Sequence, residues 1–155
     1  MKITEVQVFP VHQFVYVKIE TDQGIYGIGE ASLSGRSLAV VEALEHIKPL
    51  LIAQDPTRIE HIWQDIFRGT FWRGGPVLQS ALAGIDIALW DLAGKSLGVP
   101  TYRLLGGATR QKVLVYRHVG GKTPADLIEN AQKLLDEGWR VLRISPIGTL
   151  TDGFN

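Results

Sequence analysis

Val6 and Val8, then Val15, Val17 and Ile19, alternate with polar or outward-facing partners at a period of two, which predicts β structure from the start of the chain. Asp22-Gln23-Gly24 reads as a turn, and Ile25-Tyr26-Gly27-Ile28-Gly29-Glu30 returns from it. Residues 2–31 therefore read as a three-stranded antiparallel meander. Gly27 and Gly29 permit either a close approach of another backbone or a bulge. A meander of this kind buries one face, and the next segment supplies a cover. Over 36–53, Val40, Leu44, Ile47 and Leu51 fall on one helical stripe, with Ser34 or Ser37 as the expected cap.

A second helix is expected near Asp55-Pro56, with Asp as cap and Pro in the first turn, or from an alternative capping box of Thr57 and Glu60. Its apolar face is Ile59, Ile62, Trp63, Ile66 and Phe67. A loop, Arg68-Gly69-Thr70-Phe71-Trp72-Arg73-Gly74-Gly75, precedes a long helix over 76–96 that Gly98 and Pro100 stop. Asp91 and Lys95 are spaced to pair along it.

The pattern then changes to strand alternating with helix, the mark of parallel-sheet construction, so a boundary is placed near Gln111. Residues 112–119 read as an apolar-rich strand ending in Gly120-Gly121. Thr123-Pro124-Ala125-Asp126 opens a helix with buried stripe Leu127, Ile128, Ala131, Leu134 and Leu135. Residues 139–145 read as a strand, and 146–155 as a tail. One strand-helix-strand unit leaves sheet edges and a face uncovered, so the chain reads as interrupted. If it starts a (β/α)₈ barrel, typically about 250 residues, most of that barrel lies past Asn155.

Composition narrows the function classes. The 155 residues are 45% hydrophobic and 21% charged, a globular balance that excludes disorder. Sixteen basic and sixteen acidic residues cancel, leaving no electrostatic footprint for nucleic acid or an anionic membrane surface. Cysteine is absent, which excludes disulfide scaffolds and thiolate chemistry. No signal-type stretch opens the sequence and no apolar run approaches a membrane span, so a cytoplasmic location is expected.

Four segments, in order and spacing, carry a resemblance: the 22–30 run above, Phe71-Trp72-Arg73-Gly74-Gly75-Pro76, Ala83-Gly84-Ile85-Asp86-Ile87-Ala88-Leu89-Trp90-Asp91-Leu92-Ala93-Gly94-Lys95, and Leu104-Leu105-Gly106-Gly107. Together they resemble the enolase superfamily, in its mandelate racemase/muconate lactonizing enzyme-like branch, nearest the mannonate and galactonate dehydratases. The resemblance spans essentially the whole chain. It implies an α+β N-terminal capping domain over 1–111, followed over 112–155 by the start of a (β/α) TIM-type barrel. It implies a Mg²⁺-dependent lyase that abstracts the proton α to a sugar carboxylate, forms an enediolate and expels the neighbouring hydroxyl. A small-molecule acid sugar is then the partner, and a homo-oligomer the assembly. The family's metal carboxylates and histidine catalysts would lie past residue 155, so the 155-residue chain alone is expected to be inactive. A racemase or epimerase of the same superfamily, and a non-catalytic truncated binding module, are the alternatives.

Arg143 sits near the end of the second expected barrel strand, where relatives resembling mannonate dehydratases also have Arg. Arginine is a poor base and a good clamp for a carboxylate or enediolate, so Arg143 is the catalytic candidate, against a surface ion pair. His118 ends the first expected barrel strand, at a position matching a substrate-contacting His in mannonate dehydratases, and imidazole can bond sugar hydroxyls. Ser34 stands where those dehydratases have Asn and is weighed against a helix cap. Arg36 could meet a ligand carboxylate or stay solvated. Trp72 could wall the site, or pack. His12, His46 and His61 lack metal-ligand spacing and are read as structural, and Trp63 and Trp90 as core. Asp86 and Asp91 fall about 140° apart around a helix, against a shared metal.

Overall fold

In the computed structural model, residues 1–144 are described, in two compact units that divide between Ala108 and Thr109. Ser145, expected to end a strand, and the 146–155 tail lie outside the described residues.

The first unit opens with the meander: β1 (Ile3–Val11), β2 (Phe14–Thr21) and β3 (Tyr26–Glu30), antiparallel in that order. Val15, Val17 and Ile19 are fully buried on its inner face, as the period of two requires. The turn between β1 and β2 puts His12 at a φ of 55°. The irregularity in the sheet lies in β1, between Ile3 and Glu5, so Gly27 and Gly29 are not a bulge. They serve close approach: a Cβ on Gly27 would stand 1.9 Å from the Ala88 carbonyl oxygen, and one on Gly29 1.9 Å from that of Gly84.

The covering helices are α1 (Ser37–Leu51), α2 (Ile59–Arg68) and α3 (Pro76–Leu97), followed by the short α4 (Thr101–Leu104). Helix α1 buries Val40, Leu44, Ile47 and Leu51, the stripe read from the sequence. Its cap position is Arg36, with no side-chain cap bond, so Ser34 does not cap it. Ser37 instead donates to the carbonyls of Gln13 and Leu33. Helix α2 starts at Ile59, later than expected. The Asp55 carboxylate accepts from the Thr57 amide and hydroxyl at 3.0 and 2.8 Å, closing a turn in which Asp55 is no helix cap, and Pro56 is fully buried. Trp63 and Trp90 are half-buried: Trp90 packs against the core, and Trp63 stacks on Phe67 at 4.9 Å.

Helix α3 is long and apolar enough to cross a membrane by length and composition, which corrects the expectation that no run approaches a span. Its apolar residues are the centre of the first unit's core: Ala81, Leu82, Ile85, Ala88, Leu89 and Leu92 are all buried. A helix apolar on most sides needs neighbours on most sides, and here the sheet, α1 and α2 supply them. Its Asp91 carboxylate accepts from the Lys95 ammonium at 2.7 Å and from the Ile28 amide at 2.8 Å, and Lys95 also donates to the Tyr26 carbonyl. The expected ion pair thus also occupies backbone groups on the outer side of β3, which is an edge strand.

In the second unit, β4 (Arg117–Val119) and β5 (Leu142–Ile144) pair in parallel, with α5 (Pro124–Asp136) between them in sequence. Helix α5 opens where the sequence placed it, and there Thr123 and Asp126 form a reciprocal capping box with Pro124 in the first turn. Gly121 lies against it, where a Cβ would meet the Leu127 amide nitrogen at 2.6 Å. Both strands are shorter than expected. Val113, Leu114, Val115 and Tyr116 stand outside β4 and are exposed; among the described residues the ladder pairs Arg117–Val119 with Leu142–Ile144. The expected buried stripe of α5 is also overturned: Leu127, Ala131 and Leu134 are half-buried, whereas Ile128 and Leu135 are exposed. A helix buries its stripe only where a second layer meets it.

Candidate functional site

The parallel ladder of the second unit brings two of the predicted residues together. His118 and Arg143 are register partners on β4 and β5, so their side chains leave the sheet on the same face. Tyr116, just ahead of β4, contacts both of them. Arg143 Nη1 donates to the Tyr116 hydroxyl at 3.0 Å, and the guanidinium stands 5.7 Å from the centre of the Tyr116 ring. The Tyr116 and His118 rings are 5.3 Å apart. The result is an exposed cluster of a fixed cation, an imidazole and a phenol, able to meet an oxyanion and neighbouring hydroxyls. The loop behind it is held by Asn130, whose side-chain amide donates to the Gly120 carbonyl at 2.8 Å.

Tyr116 was not singled out from the sequence. The signal existed in its spacing from His118, but it was read as part of an apolar strand.

The other three candidates lie in the first unit, on two separate loops. Ser34 and Arg36 flank Gly35, whose φ of 71° turns the chain into α1. Both are exposed, and Arg36 Nη1 folds back onto the Gly35 carbonyl at 2.6 Å. The nearby structural hydroxyl is that of Ser32, which accepts from the Val15 amide at 3.0 Å. Trp72 lies between α2 and α3 and is 81% exposed, so it is not packed core. Its ring meets Phe71 edge-on at 5.2 Å. It borders a largely apolar cavity of about 240 Å³, shared with His46, Phe67, Arg73 and Leu78, that neither Ser34 nor Arg36 lines.

Asp91 and His61, both in the first unit, have partners within the scaffold. Asp91 is engaged on β3, and His61 faces Asp65 at 3.2 Å along α2. Burial, and then the Glu60 charge, hold the Asp86 carboxyl above its usual range, with a bond from Trp90 opposing them. Among the described residues no group of three His, Asp or Glu is arranged to hold a metal ion.

Residues 3–106 match the N-terminal domain of the mandelate racemase/muconate lactonizing enzyme family, more than half of the chain. The chain belongs to this family. Among curated relatives, this family member is 49% identical over 147 residues to a D-mannonate dehydratase of Novosphingobium aromaticivorans, covering 92% of the chain and 37% of the relative. It is 46% identical over 146 residues to a D-galactonate dehydratase of Pectobacterium atrosepticum, covering 94% and 38%. The family chain thus spans under two-fifths of the length of these relatives. Among solved structures, an enolase from Pantoea ananatis with bound D-gluconate and Mg superposes with a TM-score of 0.88 at 41% identity, over 93% of this chain and 36% of that one. The three-stranded sheet with its helices is the capping domain of enolase-superfamily enzymes, the family and the fold that the four sequence segments pointed to.

Proposed function

We propose that this chain is the N-terminal part of an acid-sugar dehydratase acting on mannonate, galactonate or a related sugar acid. The observation that carries the proposal is the 46–49% identity to enzymes named as dehydratases of D-mannonate or D-galactonate. The Tyr116–His118–Arg143 cluster supplies chemistry suited to that substrate class. The β4–α5–β5 unit is then the beginning of a (β/α) barrel, and 1–111 its cap. The whole enzyme is proposed to be a homo-oligomer.

In this proposal, Arg143 binds the sugar carboxylate and stabilises the negative charge that grows on it as the α-proton leaves. His118 donates to or accepts from a substrate hydroxyl, orienting the carbon chain. A Mg²⁺ requirement belongs to the same proposal and is supported by the Mg in the Pantoea ananatis structure. The described residues of this chain do not themselves fit a metal site.

The test is turnover by the purified protein that carries this chain. It is incubated with Mg²⁺ and D-mannonate, D-galactonate or D-gluconate, with the 2-keto-3-deoxy product followed as its semicarbazone. At least one acid sugar should be dehydrated, with kcat/KM about a hundredfold lower or worse for Arg143→Ala. Turnover that survives both EDTA and Arg143→Ala, or no keto product from any acid sugar, overturns the proposal. An isomerised acid without keto product identifies a racemase or epimerase instead.

A further inference from the structure

We infer that Tyr116 is a positioning residue for Arg143, fixing the direction in which the guanidinium presents its free N–H groups beside His118. The inference deepens the acid-sugar proposal and rests on it. Arg143 lies on a short exposed strand, and a solvated arginine side chain samples many rotamers. Two contacts remove that freedom. The Tyr116 hydroxyl accepts one Nη1 hydrogen at 3.0 Å, and the face of the same ring stands 5.7 Å from the guanidinium carbon. Ring and hydroxyl act together: the ring restrains the cation's height above the sheet, and the hydroxyl fixes its rotation.

The ladder gives this restraint a purpose. Because Arg143 is the register partner of His118, a guanidinium held by Tyr116 keeps a fixed relation to the imidazole 5.3 Å from the same ring. A sugar acid presents its carboxylate and nearest hydroxyl on adjacent carbons. A cation and an imidazole held at constant separation select that pair of groups, whereas a free arginine would only attract the charge. The side-chain hydrogen bond of Arg143 among the described residues is the one to this phenol.

Tyr116→Phe keeps the ring and removes the hydroxyl. In the protein carrying this chain, kcat is expected to fall about tenfold while KM changes less than threefold. The charge still attracts substrate but no longer meets the developing enediolate squarely. In an Arg143→Ala background the same substitution should cost less than twofold, because the hydroxyl acts through the arginine. An equal loss in both backgrounds, or no loss in either, overturns the inference. Crystal structures of the parent and Tyr116→Phe proteins decide it without turnover. A guanidinium seated over the ring in the parent and displaced in the variant supports the inference, and an unmoved guanidinium refutes it. A parent inactive on every acid sugar would defeat the proposed function alone, leaving the two crystal structures to judge Tyr116.

Discussion

Replacing Gly29 by alanine adds one methyl group where α3 crosses β3. That Cβ would lie 1.9 Å from the Gly84 carbonyl oxygen, 2.8 Å from the Ala88 nitrogen and 3.0 Å from the Gly84 carbonyl carbon. Ordinary contact begins at 3.4 Å, so the helix and strand must separate by about 1.5 Å. The opposing atoms are main chain, and no side-chain rotation relieves the overlap. Separation would loosen Ile85, Ala88, Leu89 and Leu92 from Val17 and Ile19, the centre of the first unit's core. Overpacking of this kind costs about 3 kcal/mol, at the upper end of its usual range. At about 4–8 °C per kcal/mol, the first unit should lose about 12 °C or more in Tm. The assay is thermal unfolding by circular dichroism, with Gly24→Ala as comparison. Gly24 has a φ of 73° and open space around it, so alanine there incurs only backbone strain, about 1–2 kcal/mol. A Gly29→Ala protein within about 1 kcal/mol of its parent, or no less stable than Gly24→Ala, would refute close approach as the reason for the glycine.

Thr123→Ala removes the capping box of α5 and should cost about 1 kcal/mol, read as faster hydrogen exchange in the first turn of that helix. Asp91→Ala takes the acceptor from the Ile28 amide and from Lys95 together. It should lower stability to urea by about 1 kcal/mol, with Lys95→Ala costing less. Asp86 gives a pH signature: burial and then Glu60 raise its carboxyl above the ordinary 3.8, so the protonated form favours folding and that contribution is lost as pH rises through the folded value. Asp86→Asn should therefore raise Tm at about pH 7 and leave it unchanged at about pH 3, and an absence of gain at neutral pH would count against burial as the cause.

Local patterning carried most of the first unit. Val15, Val17 and Ile19 at period two, the α1 stripe, and the Pro76 start and Gly98 stop of α3 are properties of neighbouring residues, and each is where the sequence placed it. Competition between local hydrogen bonds explains the misses. Asp55 spends its carboxylate on Thr57 and so cannot cap α2, and Ser37 donates to carbonyls instead of capping α1. In the candidate site, His118 and Arg143 were legible from their strand positions, whereas Tyr116 was hidden by its apolar neighbours.

By itself, the sequence determined the meander, the covering helices and the start of α5, and it left Gly27 and Gly29 open between close approach and a bulge. These rest on periodicity, cap chemistry and backbone freedom, all of which act over a few residues. Only tertiary structure decided which glycine contact is steric, with Gly29 against Gly84 and Gly27 against Ala88, because the clash involves atoms far apart in sequence. It likewise decided that Asp91 and Lys95 serve the edge of β3 as well as each other, and that Arg143 meets Tyr116 across 27 positions of chain. Strand formation, too, was a tertiary outcome, since residues 112–116 have the composition of a strand, but among the described residues the ladder takes in Arg117–Val119 and not them, and a strand needs a paired neighbour.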